Sequence, residues 1–299
     1  MKILMTGSSG LVGSALIPVL REAGHEVTKL VRSAPKSADE VQWDPQIGIR
    51  ELTRLEGMDA VIHLAGENIA AGRWNADQKA RIRESRVRGT QTLCHALTQL
   101  ALPPKVLLSA SALGFYGDRG EEVLSEESAA GRGFLSEVCV AWEAATQPAE
   151  KSGLRVVLLR IGIVLSPTGG PLAKMALPFK LGLGGVIGSG QQYMSWIALD
   201  DLIGAITHAL TTEAVRGPLN CVAPHPVTNR EFTKTLGGAL RRPTIFPVPA
   251  FVLRLMLGEM ADELLLSGAR LEPKRLLETQ FQFRYPRLDE ALGAVLGKR

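Results

Sequence analysis

Several things are scarce in this sequence, and each scarcity excludes something. Only three of its 299 residues are cysteine: Cys94, Cys139 and Cys221. They lie far apart, form no C-x-x-C pair and share no ligand-like spacing with histidine, which argues against a zinc site and for a reducing compartment. No run approaches the roughly eighteen apolar residues of a transmembrane helix. The N-terminus has one lysine and then enters a glycine-rich turn, which is not the pattern of a signal peptide. A cytoplasmic protein is expected. Basic residues exceed acidic ones by only four (34 against 30), and they are spread along the chain. A nucleic-acid surface would gather them on one face, so neither nucleic acid nor membrane is an expected partner. No internal repeat or low-complexity tract is visible.

What is present is an ordinary globular composition, 45% hydrophobic and 21% charged, in a chain long enough for one large α/β body or two domains. It is organised around Lys2 to Ser33. The apolar run Lys2-Ile3-Leu4-Met5 ends in Thr6-Gly7-Ser8-Ser9-Gly10-Leu11-Val12-Gly13, followed by a helix-like stretch, a stop at Gly24-His25 and a second strand-like run to Val31. This reads as one βαβ unit of a parallel sheet. Gly7 makes the tight turn, Gly10 lets backbone approach a pyrophosphate, and Gly13 permits close packing of the helix. Residues 7–13 then present free N–H groups and the positive end of a helix dipole, which suits a phosphate. Pro18 falls inside that helix and is expected to kink it.

The end of the second strand selects the nucleotide. An NAD site usually places an acid about 20 residues past the glycines, to bind the ribose 2′-hydroxyl. Here the position falls at Val31-Arg32-Ser33. Arg32 offers a planar cation for a 2′-phosphate, pointing to NADP(H); its alternative is a solvated strand-end arginine.

Further along, Asp59 to Asn68 reads as a strand ending in Leu64-Ala65-Gly66, small residues that can either line an adenosine ribose or pack against a helix. From about Asn75 to Leu100 a helix places Ile82, Arg86, Gly89, Leu93 and Leu97 on one face. Arg86 on an apolar stripe needs an anionic partner, either a cofactor pyrophosphate or a structural ion pair. Arg81, near the helix start, can face either way. A strand from Lys105 runs into Ser109-Ala110-Ser111-Ala112, then Tyr116-Gly117. A long helix (134–151) and a strand (154–160) follow. The Gly- and Pro-rich residues 166–195 read as irregular, with helices expected near 229–240 and 249–266 and a final strand at 280–285.

With these pieces in place the chain resembles the extended short-chain dehydrogenase/reductase superfamily. TGSSGLVG is similar to its TGxxGxxG, SRVRGTQTL to its NVxGTxxL with Arg86 at the asparagine position, LLSASALGFYGD to its strand-end serine motif, and SWIALDDL to a later aspartate motif. HLAGENIA, RWN, FLSEVCVAWE, LPFKLGLGGVIGSGQQYMSWI and the tail beginning GPLNCVAPHPVTNREF resemble one subgroup, epimerase-family proteins with their own C-terminal extension. The resemblance implies a Rossmann-type, doubly wound parallel sheet binding NADP(H). Residues 1–165, with 196–222 returning, would form the cofactor domain; 166–195 and 223–299 would form a smaller C-terminal substrate lobe. It also implies cofactor contacts from Ser109, a substrate contact from Ser111, and by analogy a homodimer.

The superfamily's chemistry relies on a tyrosine with a lysine four residues later, the lysine lowering the tyrosine pKa for proton transfer. The residues four beyond Tyr116, Tyr193 and Tyr285 are Gly120, Ile197 and Asp289. Aligning the helix puts Leu135 and Cys139 at the two positions, and neither can do that work. Ser111 and Tyr116 are the remaining catalytic candidates, Tyr116 with a packing role as its alternative. Glu137 is a weaker acid/base candidate, and Trp196 and Met194 are either pocket walls or core. Two functions stay open: an NADP(H)-dependent oxidoreductase or epimerase-like enzyme on a small polar, sugar-like substrate, and a non-enzymatic NADP(H)-binding redox-sensing or regulatory protein. No metal is expected.

Overall fold

The computed structural model describes residues 1–297. Its strands are β1 (Lys2–Thr6), β2 (Glu26–Val31), β3 (Glu40–Asp44), β4 (Gly48–Ile49), β5 (Ala60–His63), β6 (Val106–Ala112), β7 (Val123–Leu124), β8 (Arg155–Ile161), β9 (Ile163–Leu165), β10 (Tyr193–Met194), β11 (Trp196–Ala198), β12 (Gly217–Cys221), β13 (Val227–Thr228) and β14 (Arg270–Leu271). The helices are α1 (Leu11–Glu22), α2 (Ala76–Thr98), α3 (Phe134–Ala144), α4 (Gln147–Lys151), α5 (Gly170–Lys180), α6 (Leu199–Thr211), α7 (Asn229–Leu240), α8 (Ala250–Leu257), α9 (Glu259–Ala261), α10 (Lys274–Glu278) and α11 (Leu288–Gly297).

Eight strands form one sheet in the order β12-β8-β6-β5-β1-β2-β3-β4. β1 pairs in parallel with β2 on one side and β5 on the other, while the short β4 runs antiparallel against β3. Strand order reverses at β1, so the expected doubly wound sheet is borne out, with its switch point at the carboxyl ends of β1 and β5. Residues 3–6 are fully buried in β1 and residues 60–63 in β5, as central parallel strands covered on both faces require.

The chain divides into two compact units. The first comprises residues 1–111, 138–159 and 206–219; the second comprises 112–137, 160–205 and 220–299. A core cluster of the first is built on Leu4, Val61, Leu93, Leu97 and Leu107. One in the second gathers Trp196, Phe232, Leu236, Leu288 and Leu292.

Local details depart from the sequence pattern for identifiable reasons. The helix expected over 134–151 breaks after Ala144 and restarts as α4, with Pro148 in its first turn where a missing N–H is harmless. The stretch 166–195 contains α5, opened in the same way by Pro171. The expected 249–266 helix stops at Gly258 (φ +63°), a backbone conformation suited to glycine. Residues 280–285 form no strand; their chain is instead anchored where Asp201 accepts the Arg284 and Tyr285 N–H groups at 2.6 and 3.0 Å. α1 continues through Pro18 as one helix.

Candidate functional site

The turn after β1 has the shape that its glycines foretell. Gly7 sits at φ +69°, and a Cβ there would lie 2.7 Å from the Leu64 carbonyl carbon. A Cβ on Gly13 would meet the Gly7 carbonyl oxygen at 2.2 Å, so its close approach is to the turn itself. Gly10 is the N-cap of α1, exposed, with no side-chain hydrogen bond closing the helix end and no acid in the first turn. The turn is drawn in by the Gly10 N–H donating to Gly7 O (3.0 Å). Ser8 and Ser9 form the turn, while Leu11 and Val12 are half-buried in the first helical turn. An uncapped helix N-terminus above a cradle that cannot tolerate side chains fits an anionic phosphate group.

Of the other predicted contacts of the first unit, Leu64 and Ala65 stand against the turn at Gly7, and Arg86 stands against Gly66 beside them. Val31 ends β2 and Arg32, exposed, follows it directly. Leu64, Ala65 and Gly66 leave β5 beside Gly7, and a Cβ on Gly66 would lie 3.4 Å from Arg86 Cζ. Arg86 donates to Ile82 O (3.1 Å) and Glu67 O (3.0 Å), and its guanidinium lies 5.1 Å from the Trp142 ring centre. Its hydrogen bonds thus end on neutral carbonyls, and burial pushes its pKa below the usual arginine value. A cation so fixed is suited to an anion. Arg81 is exposed and donates to Gln78 Oε1 at 2.5 Å.

Beneath the turn lies a polar chain that no sequence motif announced. Thr6 Oγ1 accepts the N–H groups of Leu64 and Ala65, both at 3.2 Å, and is 2.7 Å from His63 Nδ1. His63 Nε2 is 3.0 Å from Thr90 Oγ1, which also accepts the Trp142 indole N–H at 2.9 Å. With both Thr6 lone pairs engaged, its proton must go to Nδ1, which assigns His63 the Nε2–H tautomer. Burial holds His63 neutral, its pKa pushed down to about 4. The partners are 57 and 27 residues apart in the chain; only the position of His63 at the end of a buried strand hinted at it.

On β6, Ser109 is fully buried, and among the described residues its hydroxyl has no hydrogen-bond partner. Ser111, two residues on and therefore on the same face, donates to Glu143 Oε1 at 2.6 Å. Leu135, Cys139 and Glu143 are spaced four apart along α3 and share one face. A carboxylate thus stands one turn beyond the leucine and cysteine that replace the superfamily's tyrosine and lysine. Sequence reasoning passed over Glu143; the i, i+4, i+8 spacing was the available signal.

Tyr116 belongs to the second unit. It is fully buried, its hydroxyl donates to Asn220 Oδ1 (2.6 Å) and accepts from Arg160 Nη1 (2.9 Å), and burial raises its pKa. Arg160 also lies 3.4 Å from the centre of the Phe115 ring. Glu126 accepts the backbone N–H groups of Asn220 (3.0 Å) and Arg275 (3.3 Å) through Oε1, and burial raises its pKa. Trp196 and Met194 are core residues of this unit, and Glu137 is exposed. Among the described residues no cluster of His, Cys, Asp and Glu could hold a metal ion, and no helix is long and apolar enough to cross a membrane.

Comparison with known proteins adds to this geometry. Residues 3–221 match the NAD dependent epimerase/dehydratase family, and residues 248–295 match a domain of unknown function, DUF1731. An epimerase family protein of Mycobacterium bovis, Mb2239, is 45% identical over 97% of this chain and 96% of its own. The crystal structure of human epimerase family protein SDR39U1 (isoform 2) with NADPH superposes with a TM-score of 0.92 at 37% identity, covering all of both chains. UDP-glucose 4-epimerase from Thermus thermophilus, in complex with NAD, shares the fold: TM-score 0.78 at 20% identity over 99% of this chain and 98% of that one.

Proposed function

Because the chain belongs to the NAD dependent epimerase/dehydratase family, we propose that it binds NADP(H) and acts as an oxidoreductase or epimerase-like enzyme on a small polar, sugar-like substrate. The observation that carries this reading is the glycine cradle, with an uncapped α1 N-terminus above it and Arg32 exposed at the end of the next strand. The human relative's structure with NADPH supports the same cofactor.

In this reading residues 7–13 hold the pyrophosphate, Val31 and Arg32 the 2′-phosphorylated ribose, and Leu64, Ala65 and Gly66 the adenosine side. Arg86 offers its fixed charge to the phosphates, with Arg81 as an exposed auxiliary and Ser109 beneath the cofactor strand end. When bound, the nicotinamide supplies hydride transfer. The chain's part is orientation: the Ser111 hydroxyl donates to Glu143 Oε1 at 2.6 Å, which fixes its direction and leaves the Ser111 Oγ lone pairs to accept a hydrogen bond from a substrate hydroxyl. Tyr116, with its hydroxyl engaged by Asn220 and Arg160, serves here as a structural anchor.

The other reading, a non-enzymatic NADP(H)-binding redox-sensing or regulatory protein, is favoured by Leu135 and Cys139 in place of an ionisable pair. Calorimetric titration with NADPH and NADH tests what both readings share. Tighter NADPH binding that Arg32→Ala weakens about tenfold is expected, a loss of about 1.4 kcal/mol; equal affinity for the two nucleotides would refute the 2′-phosphate assignment. Oxidation of NADPH by a panel of carbonyl compounds separates the readings. Turnover reduced by Ser111→Ala and Glu143→Gln, and little changed by Tyr116→Phe, supports the enzyme. Absence of turnover with intact binding supports the sensor.

A further inference from the structure

Arg86 is half-buried, and its direction is set by more than its own hydrogen bonds. Those bonds end on Ile82 O (3.1 Å), one turn back on α2, and on Glu67 O (3.0 Å), in the segment that leaves β5. The guanidinium also lies over the Trp142 ring, 5.1 Å from its centre. An arginine side chain has several rotatable bonds, and an aromatic shelf limits that freedom while favouring the cation. What fixes the cation therefore depends on what fixes Trp142.

Trp142 is held through its indole nitrogen. The N–H donates to Thr90 Oγ1 at 2.9 Å, and the same oxygen lies 3.0 Å from His63 Nε2. Thr90 and His63 are completely buried and Trp142 nearly so. Thr90 follows Arg86 by four residues on α2, so the two share a face one turn apart. Trp142, from α3, thus grips two successive turns of α2, with its N–H on Thr90 and its ring under Arg86. His63 in turn lies 2.7 Å from Thr6 Oγ1, the atom that accepts the Leu64 and Ala65 N–H groups. Its ring also meets Trp43 edge-on, with centres 6.2 Å apart. The chain starts at the strand ends that flank the glycine turn and finishes under the cation, and all of it belongs to the first unit. Apolar side chains could fill the same space with nothing to satisfy. A satisfied buried network adds what they do not, a single orientation for the ring.

We propose that Thr90 and Trp142 are positioning residues of the nucleotide site, which hold Arg86 where the cofactor's phosphates meet it without touching the cofactor themselves. The role rests on the NADP(H) reading above, in which Arg86 faces those phosphates. It gives the buried chain the work of presenting a cation already aligned, so that binding does not have to order it.

Calorimetric titration with NADPH, on variants whose fold is checked by circular dichroism, tests the role. Arg86→Met should weaken binding about tenfold, as loss of one charge-assisted contact does. Thr90→Val keeps the shape of the side chain, deletes the hydroxyl and should weaken binding about fivefold, within the coupling range of contacting residues. Thr90→Ser, which returns the hydroxyl, should recover the wild-type affinity. Trp142→Phe keeps an aromatic ring, removes the N–H and should lose about as much as Thr90→Val; it decides the matter if the valine variant fails to fold. In the Arg86→Met background, Thr90→Val and Trp142→Phe should weaken binding no further, because a side chain that acts through Arg86 has no effect once Arg86 is gone. An equal loss in both backgrounds would make the chain ordinary core structure and overturn the proposal. Wild-type affinity in folded Thr90→Val and Trp142→Phe, or in Arg86→Met, overturns it too. A wild type that binds neither NADPH nor NADH would instead remove the cofactor reading itself, and this role with it.

Discussion

His63 shows how much a single side chain can hold without appearing in any motif. It is completely buried, and its pKa is pushed from 6.5 to about 4 by desolvation. In the unfolded chain it protonates near its ordinary value, so between about pH 6.5 and 4 the unfolded state binds the extra proton and stability falls as pH falls. From pH 7 to pH 5 the loss attributable to His63 is about 2 kcal/mol. His63→Gln should be less stable at pH 7, having lost the Thr6–Thr90 bridge, but should lose about 2 kcal/mol less on acidification; denaturant midpoints at the two pH values check this. A variant whose pH dependence parallels the wild type would place the acid-sensitive group elsewhere. The thiols give a second residue-scale expectation. Burial pushes Cys94 up to about 12 and raises Cys221 further, so neither forms thiolate at neutral pH. Both should stay unmodified by an aromatic disulfide reagent until the chain is denatured. Rapid labelling of Cys94 in the native protein, read by peptide mass mapping, would contradict its placement.

At the scale of elements, what was legible was what is local. Within the turn at residues 7–13, the Gly10 N–H bond to Gly7 O and the approach of Gly13 to Gly7 are local contacts that spacing alone could foretell, whereas the approach of Gly7 to Leu64 comes from a distant strand. The strand-end position of Arg32 follows from the same short count. Glu143 and the Thr6–His63–Thr90–Trp142 chain were not legible, because their partners come from strands and helices that only the sheet brings together. Periodicity also ran past true boundaries: it joined α3 to α4 across Ala145-Thr146, and α8 to α9 across Gly258, whose positive φ hydrophobic spacing does not register. Gly13 makes the element-scale prediction. Alanine there would put a methyl 2.2 Å from Gly7 O, a backbone atom of the same cradle. Gly13→Ala is expected to push the turn open, costing about 2 kcal/mol of stability as an overpacked site does and weakening NADPH binding at least tenfold. Unaltered affinity in a calorimetric titration would remove the turn from the cofactor site. The N-terminus of α2 supplies a milder control. Asn75 caps it by accepting the Gln78 N–H at 2.8 Å, so Asn75→Ala should cost about 1 kcal/mol without changing nucleotide preference.

For the whole molecule, the question is whether the C-terminal extension is an appendage or part of the fold. Its residues finish the second unit's interior. Leu288, Ala291 and Leu292 share a core with Trp196 and Phe232, and β14 pairs with β7. The Glu263 carboxylate accepts the Phe134 and Leu135 N–H groups at 3.1 and 3.2 Å, supplying negative charge at the N-terminus of α3. Gly133 must be glycine for that approach, because its φ is +104° and a Cβ would collide with Glu263 Oε1. Asn220, which orients Tyr116, donates to Glu272 O at 2.9 Å, and Glu126 takes the Arg275 N–H. Removal of residues 248–299 would therefore leave the α3 terminus uncapped, the Asn220 amide without its carbonyl and a core face open to water. Each buried polar group so orphaned costs about 1–3 kcal/mol, and together with the lost core they exceed the roughly 5–15 kcal/mol that holds a domain folded. A chain ending at residue 247 should thus be insoluble or lack a cooperative melting transition. If it instead melts cooperatively with a midpoint near that of the full chain, the extension is an independent module, and the second unit must close its core without it.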